Sequence, residues 1–150
     1  MKYEKVFLVI NEQHSLLEDQ ERVLKEKFED AEIKKISVPA EGWTLEEMDK
    51  IIKDIYLELV QASPKFPINL KMSGFYDFTY GRKPTAVVFV SPIPYMIKRL
   101  SQLAMVADMD GTCTFTEYDV FVFHNDHREK KELPNGKIVY TVAQEGWQLV

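Results

Sequence analysis

The sequence contains a single cysteine, Cys113, among its 150 residues. One thiol can form no intramolecular disulfide and leaves no second thiol for a zinc site. Long apolar runs are missing too, because runs such as Val87–Val90 and Val120–Phe123 fall far short of the ~20 residues that cross a bilayer. Met1–Glu4 lead into an apolar strand and do not have the pattern of a signal peptide. These absences predict a soluble cytoplasmic protein with no membrane partner.

Positive charge and glycine are also scarce. The chain has 19 lysine and arginine residues against 24 aspartate and glutamate residues, a net charge of -5. Proteins that bind duplex DNA place clustered basic residues on phosphates, so this balance predicts no duplex DNA partner and requires an anionic ligand to be held locally. None of the six glycines forms a dinucleotide fingerprint or a P-loop. We therefore expect no conventional nicotinamide or nucleoside triphosphate site and no cofactor.

Strands and helices alternate along the chain. Apolar runs predict inner strands of a parallel sheet at residues 5–10, 85–90 and 118–124, and the apolar residues Ile33, Ile36 and Val38 predict a strand nearer an edge at residues 32–38. Helices are predicted to begin at the capping box of Ser15 and Glu18, at that of Thr44 and Glu47, and at Ser91–Pro94. Right-handed crossovers then give an α/β fold, a mostly parallel Rossmann-like sheet with helices on both faces. We see no repeat, so residues 1–150 are expected to form one domain.

Two segments depart from this alternation. Residues 62–84 combine aromatic residues with prolines and glycines, which predicts either a functional loop or an aromatic flap that only covers the core. The last inner strand is expected to continue through the polar residues Asn125–Glu132. Asn135-Gly136 then predicts a tight turn, because both residues tolerate positive φ angles, and Ile138–Ala143 returns as the partner strand. The fold thus includes a C-terminal antiparallel hairpin at one end of the sheet.

Polar residues follow the first and third predicted strands directly. The segment Asn11-Glu12-Gln13-His14-Ser15 comes after Ile10, and Ser91-Pro92-Ile93-Pro94-Tyr95 comes after Val90. In a parallel sheet, ligands bind outside the carboxyl ends of the strands, where helix N-termini present unpaired N–H groups. Either loop alone could serve only as a helix cap. Together they predict one binding site, provided that both turns emerge side by side on one edge of the sheet.

Histidines mark the end of the last inner strand. His124, Asn125 and His127 lie where that strand leaves the core. A histidine can act as a general acid or base near neutral pH, but at a strand end it is more often a solvated or hydrogen-bonded residue. Since His124 and His127 are three residues apart, they point to opposite faces of a strand and do not suit a shared metal ion.

One further motif concerns phosphate chemistry. The segment Ala107–Thr112, with the sequence ADMDGT, resembles the nucleophile motif of haloacid-dehalogenase-type phosphatases. In that family the motif ends an early strand, whereas here it follows a predicted helix. We therefore interpret it as a turn that terminates the helix.

Three segments resemble the small CRISPR-associated accessory proteins of CARF-like fold, a family that includes ring nucleases of type III systems. They are VFLVINEQHSLLEDQ near the start, VVFVSPIPYMIKRLSQLA in the middle, and HREKKELPNGKIVYTVAQEGWQLV at the end. The first resembles an opening strand with a polar turn and a helix start, the second a strand with a ligand-facing helix, and the third a charged terminal hairpin and tail. Residues 62–84 and the Ser91-Pro92 turn depart from the family pattern.

The resemblance implies a homodimer that binds, and can cleave, a cyclic oligoadenylate second messenger in antiviral defence. The site residues that it implies are Asn11, Gln13, His14, Ser15, Ser91, Ile93, Tyr95 and Asn125 as ligand contacts, with His14 or His124 assisting proton transfer. Cleavage would position a ribose 2'-hydroxyl in line with its neighbouring phosphate and needs no metal. The alternative is a non-enzymatic module that binds a protein partner, or a small nucleotide, with its hairpin and flap forming a protein interface.

Overall fold

A computed structural model describes residues 3–62, 84–107 and 114–150 of the chain. The strands are β1 Lys5–Asn11, β2 Glu32–Val38, β3 Thr85–Phe89, β4 Met105–Ala107, β5 Thr114–Thr116, β6 Asp119–His124, β7 Arg128–Glu132, β8 Ile138–Val142 and β9 Gln148–Leu149. The helices are α1 Glu18–Lys27, α2 Leu45–Ala62 and α3 Pro94–Ala104. Cys113, most of the predicted flap at 62–84 and residues 108–112 of the phosphatase-like motif lie outside the described residues.

The main sheet has five strands in the order β2-β1-β3-β6-β9. The first four are parallel, and β9 pairs antiparallel with β6 at one edge. The chain moves from β1 to one side to form β2, then crosses back to place β3 on the other side of β1. The direction in which the chain adds strands to the sheet therefore reverses between β1 and β3. In open α/β sheets, a crevice lies at the carboxyl ends of the strands where this direction reverses.

Helices cover both faces of the sheet, as predicted. On one face Leu24 of α1 and Phe28, the residue that caps its C-terminus, pack in one cluster with Val6 and Leu8 of β1. On the other face α2 and α3 pack against alternate residues of the same strands, and the buried residues there include Val9, Ile55, Leu59, Phe89 and Leu100. Each strand alternates between the two clusters because side chains point to opposite faces with a period of two. The mostly parallel α/β architecture is thus confirmed.

The start of α1 differs from the prediction. The helix begins at Glu18 and not within the expected Ser15 capping box. Leu17 is the N-cap, and its backbone N–H donates to Oε1 of Gln20 at 3.0 Å, so the side chain that closes the first turn comes from position 20. The second capping box is confirmed, because Thr44 N–H donates to Glu47 and Glu47 N–H donates to Oγ1 of Thr44, both at 3.2 Å.

The C-terminal hairpin exists but does not extend the main sheet. β7 and β8 form a separate two-stranded sheet, and the edge of the main sheet is completed instead by β9. The turn also differs, since only Gly136 has a positive φ, of 83°. Gly136 N–H donates to the carbonyl of Leu133, and Leu133 N–H donates to that of Lys137. These bonds define a type I turn followed by a glycine bulge, not the predicted turn with two positive φ angles.

A short ribbon follows α3. β4 and β5 pair antiparallel, with Val106 opposite Phe115, so Ala107, the first residue of the predicted helix-terminating turn, lies in a strand. The rest of that predicted turn lies outside the described residues. Within the described ranges 3–62, 84–107 and 114–150, no helix combines the length and the apolar character needed to cross a bilayer.

Candidate functional site at the β1–β3 edge

The register of the sheet aligns the ends of three parallel strands. Val9 pairs with Phe89, and Phe89 pairs with Val122. Two residues beyond these aligned positions lie Asn11, Ser91 and His124. Residues two apart in a strand share a face, so Asn11 and His124 follow the side of the sheet covered by α2 and α3, and Ser91 comes just after the end of β3. With neighbouring strands about 4.8 Å apart, they mark about 10 Å of one sheet edge.

Ser91 joins the two predicted loops. Its Oγ accepts the backbone N–H of Asn11 at 2.9 Å and lies 3.4 Å from Nδ1 of His14. The backbone N–H of Ser91 and that of Val90 both donate to the carbonyl of Val9. The turns after β1 and β3 therefore emerge side by side on one edge of the sheet, and a hydroxyl and an imidazole meet there.

The loop after β1 is held in a fixed shape by its own polar groups. Oδ1 of Asn11 accepts the backbone N–H of Gln13 at 2.9 Å, and His14 N–H donates to the Asn11 carbonyl. Glu12 reaches the loop after β2, where its Oε1 accepts the backbone N–H of Ala40 at 2.9 Å. Gln13, His14 and Ser15 have exposed side chains. The loop thus presents polar side chains to solvent on a rigid backbone.

The N-terminus of α3 forms the other side of this edge. Its N-cap is Ile93, which offers no side-chain acceptor, and Pro94 occupies the first turn, as predicted. The first turn of α3 contains no acidic residue, whereas α1 and α2 both carry carboxylates there. Because unsatisfied N–H groups give a helix N-terminus a partial positive charge, α3 is the helix whose start best suits an anion. Ile93 itself packs against the core.

Tyr95 faces α2. Its hydroxyl donates to Oδ1 of Asp49 at 2.6 Å, and this hydrogen bond raises the pKa of Tyr95 above its usual range. The ring is half-buried against the core cluster under α2 and α3. The ring of Tyr95, a predicted ligand contact, is therefore held in place by a carboxylate of a neighbouring helix. Asp49 is an exposed residue of α2 that belongs to no local motif, so no sequence pattern indicated this partner.

His124 ends β6 on the same edge, beyond β3, and Asn125 follows it. Nε2 of His124 lies 2.6 Å from Oδ1 of Asp126, and both side chains are exposed. Asn125 uses both ends of its amide within the protein, since Nδ2 donates to the carbonyl of Glu145 and Oδ1 accepts the backbone N–H of His127. Asn125 thereby orders the crossing from β6 to the hairpin, while His124 remains accessible.

A shallow groove lies beside this edge, at the start of α2. It encloses about 660 Å³. Its lining includes Trp43, Glu47 and Lys50, together with the Pro39–Gly42 turn. Glu12, through its bond to Ala40, connects this groove to the loop after β1. Sequence reasoning did not identify the groove, because its residues belong to a turn and a helix face that converge only in the fold.

In the part of the chain that the structure describes, no group of three or more histidine, cysteine, aspartate or glutamate side chains could hold a metal ion.

No family model matches the chain, and neither the curated proteins nor the solved structures show a significant similarity to it.

Proposed function

We propose that the protein binds a cyclic oligoadenylate at the β1–β3 edge, and that this edge belongs to a Rossmann-like, CARF-like nucleotide site. The observation that carries the proposal is the contact of Ser91 with both Asn11 and His14 at the point where the strand order reverses. A ligand there would meet the polar loop, the Ser91 hydroxyl and the start of α3 together. The ring identity rests on the sequence resemblance, and the anion preference rests on the uncapped, carboxylate-free first turn of α3.

In this proposal the protein promotes cleavage mainly by positioning the ribose 2'-hydroxyl against the neighbouring phosphate. The ribose 2'-oxygen attacks the adjacent phosphorus, the P–O2' bond forms, and the P–O5' bond breaks. The 2'-hydroxyl loses a proton and the departing 5'-oxygen gains one, which leaves a linear product with a cyclic phosphate end. We assign a proton transfer to His14, which lies beside the ends of β1 and β3. Ser91 contacts Nδ1 of His14, and this contact leaves Nε2 of His14 for the ligand. His124 is the second candidate, being aligned with Asn11 and Ser91 along the edge.

The test is to mix the purified protein with cyclic tetra-adenylate or cyclic hexa-adenylate and to measure two things. A thermal shift reports binding, because a ligand that binds only the folded state stabilises it by mass action. Mass spectrometry reports linear product. We expect a shift with at least one ring. No shift and no linear product with either ring would overturn the proposal, and a shift without product would overturn only the catalytic assignment of His14 and His124.

Matched variants locate the site. His14→Ala and Ser91→Ala should each weaken binding about tenfold or more, because a hydrogen bond to a charged group contributes about 1.5–3 kcal/mol. His127→Ala and Ser101→Ala remove the same kinds of side chain at exposed positions outside the contact between the Asn11 and Ser91 loops and should leave binding unchanged. Equal losses of affinity in the two site variants and the two control variants would contradict the location proposed for the ligand site.

A further inference from the structure

The outer edges of the sheets differ in their protection against pairing with another chain. β2 carries Lys34 and Lys35 and is exposed along most of its length, β9 is only two residues long, and every residue of β7 is charged and exposed. Lysines and short strands are the usual devices that keep an edge unpaired. β8, Ile138–Val142, is five residues long and contains no charged residue. Among the five-residue or longer edge strands that the structure describes, β8 is the one that lacks such protection.

The hydrogen bonds of the hairpin determine which backbone groups of β8 point outward. Leu133 N–H donates to the carbonyl of Lys137, so this pair faces inward. Inward and outward pairs alternate in an antiparallel ladder. From the register, positions 138, 140 and 142 therefore direct their N–H and C=O groups away from β7. Ile138 and Tyr140 also have exposed side chains, at 51% and 67%.

We propose that β8 pairs antiparallel with β8 of a second copy of this chain, about a twofold axis at Tyr140. In that register position 140 meets itself and position 138 meets position 142 of the other copy. All three are positions with outward backbone groups, so every one of these pairs can exchange two hydrogen bonds. The side chains that meet are uncharged, because β8 contains neither a basic nor an acidic residue. The edge is thus complementary to itself.

The hairpin gains stability from such a pairing. Two strands alone are marginal in water, and β7 buries no side chain against the rest of the protein. Joining two hairpins gives four strands in the order β7-β8-β8-β7 and covers part of the exposed surface of Tyr140 and Ile138. The charged β7 strands then form both outer edges, so the sheet stops at four strands and the assembly closes as a dimer.

The first test measures the mass of the full chain by light scattering during size-exclusion chromatography, without any nucleotide. We expect twice the 17.5 kDa of one chain at micromolar concentrations. Tyr140→Lys should give the monomer with an unchanged circular dichroism spectrum, since lysine protects an edge. Leu45→Lys places the same charge at another exposed apolar position, 60% accessible, and should remain dimeric. A monomeric wild-type protein would overturn the proposal, as would a dimer that Tyr140→Lys leaves intact.

A second test fixes the register. Tyr140→Cys, made together with Cys113→Ser, should form an intermolecular disulfide on mild oxidation, because facing residues of a hydrogen-bonded pair lie about 5.5 Å apart between Cα atoms. Lys131→Cys in the same background lies on the β7 strand and should remain monomeric on denaturing gels. Equal crosslinking of both variants would contradict the pairing. Neither test involves a nucleotide, so the result is independent of the ligand proposal.

Discussion

The Ser91 hydroxyl accepts the backbone N–H of Asn11 at 2.9 Å and thereby joins the ends of two neighbouring parallel strands. β1 leads to a helix on one face of the sheet and β3 to a helix on the other. A single side chain therefore holds the two turns together at the point where the chain reverses its direction across the sheet.

Ser91→Ala should lower the free energy of unfolding by about 1 kcal/mol, because it leaves a part-buried N–H group without its acceptor. Urea denaturation measures the change. Ser101→Ala, at an exposed position of α3, should stay within about 0.5 kcal/mol of the wild type. A Ser91→Ala variant as stable as the Ser101→Ala variant would show that the bond between the strand ends contributes nothing.

Asp19 should make the stability depend on pH. Its carboxylate accepts the backbone N–H of Trp147 at 3.0 Å and pairs with Arg22, and these contacts hold the pKa of Asp19 below its usual range. The ionised form is therefore favoured in the fold, so its contribution is present above the unfolded pKa of about 3.9 and is lost as the pH falls below it. The relevant measurement is the difference in urea midpoint between the wild type and Asp19→Ala.

That difference should be clear at about pH 7 and should shrink towards about pH 3. Glu26→Ala is the matched control, because Glu26 also pairs with Arg22 but has no contact with the C-terminal segment. A difference for Asp19→Ala that stays constant over this range would contradict the assignment of the effect to an ionised carboxylate.

Tyr118 should make the stability of the fold depend on pH in the alkaline range. It is buried, its hydroxyl donates to the Leu100 carbonyl at 2.6 Å, and burial raises its pKa well above the usual range. The neutral phenol is favoured in the fold, so stability is present below the unfolded pKa of about 10 and is lost as the pH rises above it. Tyr118→Phe should cost about 1 kcal/mol at neutral pH by removing the hydrogen bond.

The same variant should lose less stability than the wild type when the pH rises from about 8 to about 11. Tyr140→Phe, at an exposed tyrosine, is the control and should follow the wild-type pH dependence. If Tyr118→Phe and the wild type lose equal stability at alkaline pH, the phenol is not held neutral by the fold.

Local patterns predicted most of the main sheet and its helices. β1, β3 and β6 are strongly apolar runs, β2 has apolar residues at Ile33, Ile36 and Val38, and the Thr44 capping box encodes the start of α2 within four residues. The adjacency of the Asn11 and Ser91 loops also followed from the sequence, since right-handed crossovers leave few topologies.

The elements and contacts that were not predicted from the sequence join distant parts of the chain. β9 is two residues long and forms because Val150 and Val122 exchange backbone hydrogen bonds, which no local pattern specifies. The β4–β5 ribbon and the separation of the hairpin from the main sheet are likewise decided by pairing partners and not by propensity. Around the candidate site, the bonds of Tyr95 to Asp49 and of Glu12 to Ala40 join residues 46 and 28 positions apart.

The most direct test of the nucleotide proposal is to titrate isotope-labelled protein with cyclic tetra-adenylate or cyclic hexa-adenylate and to follow its backbone amide resonances. We predict that the largest shifts fall on the amides of residues 11–15 and of Ser91, Ile93, Tyr95 and Met96, since the two loops meet at the β1–β3 edge. Unchanged amides in both segments, or shifts confined to another surface such as the groove at Trp43, would contradict the account.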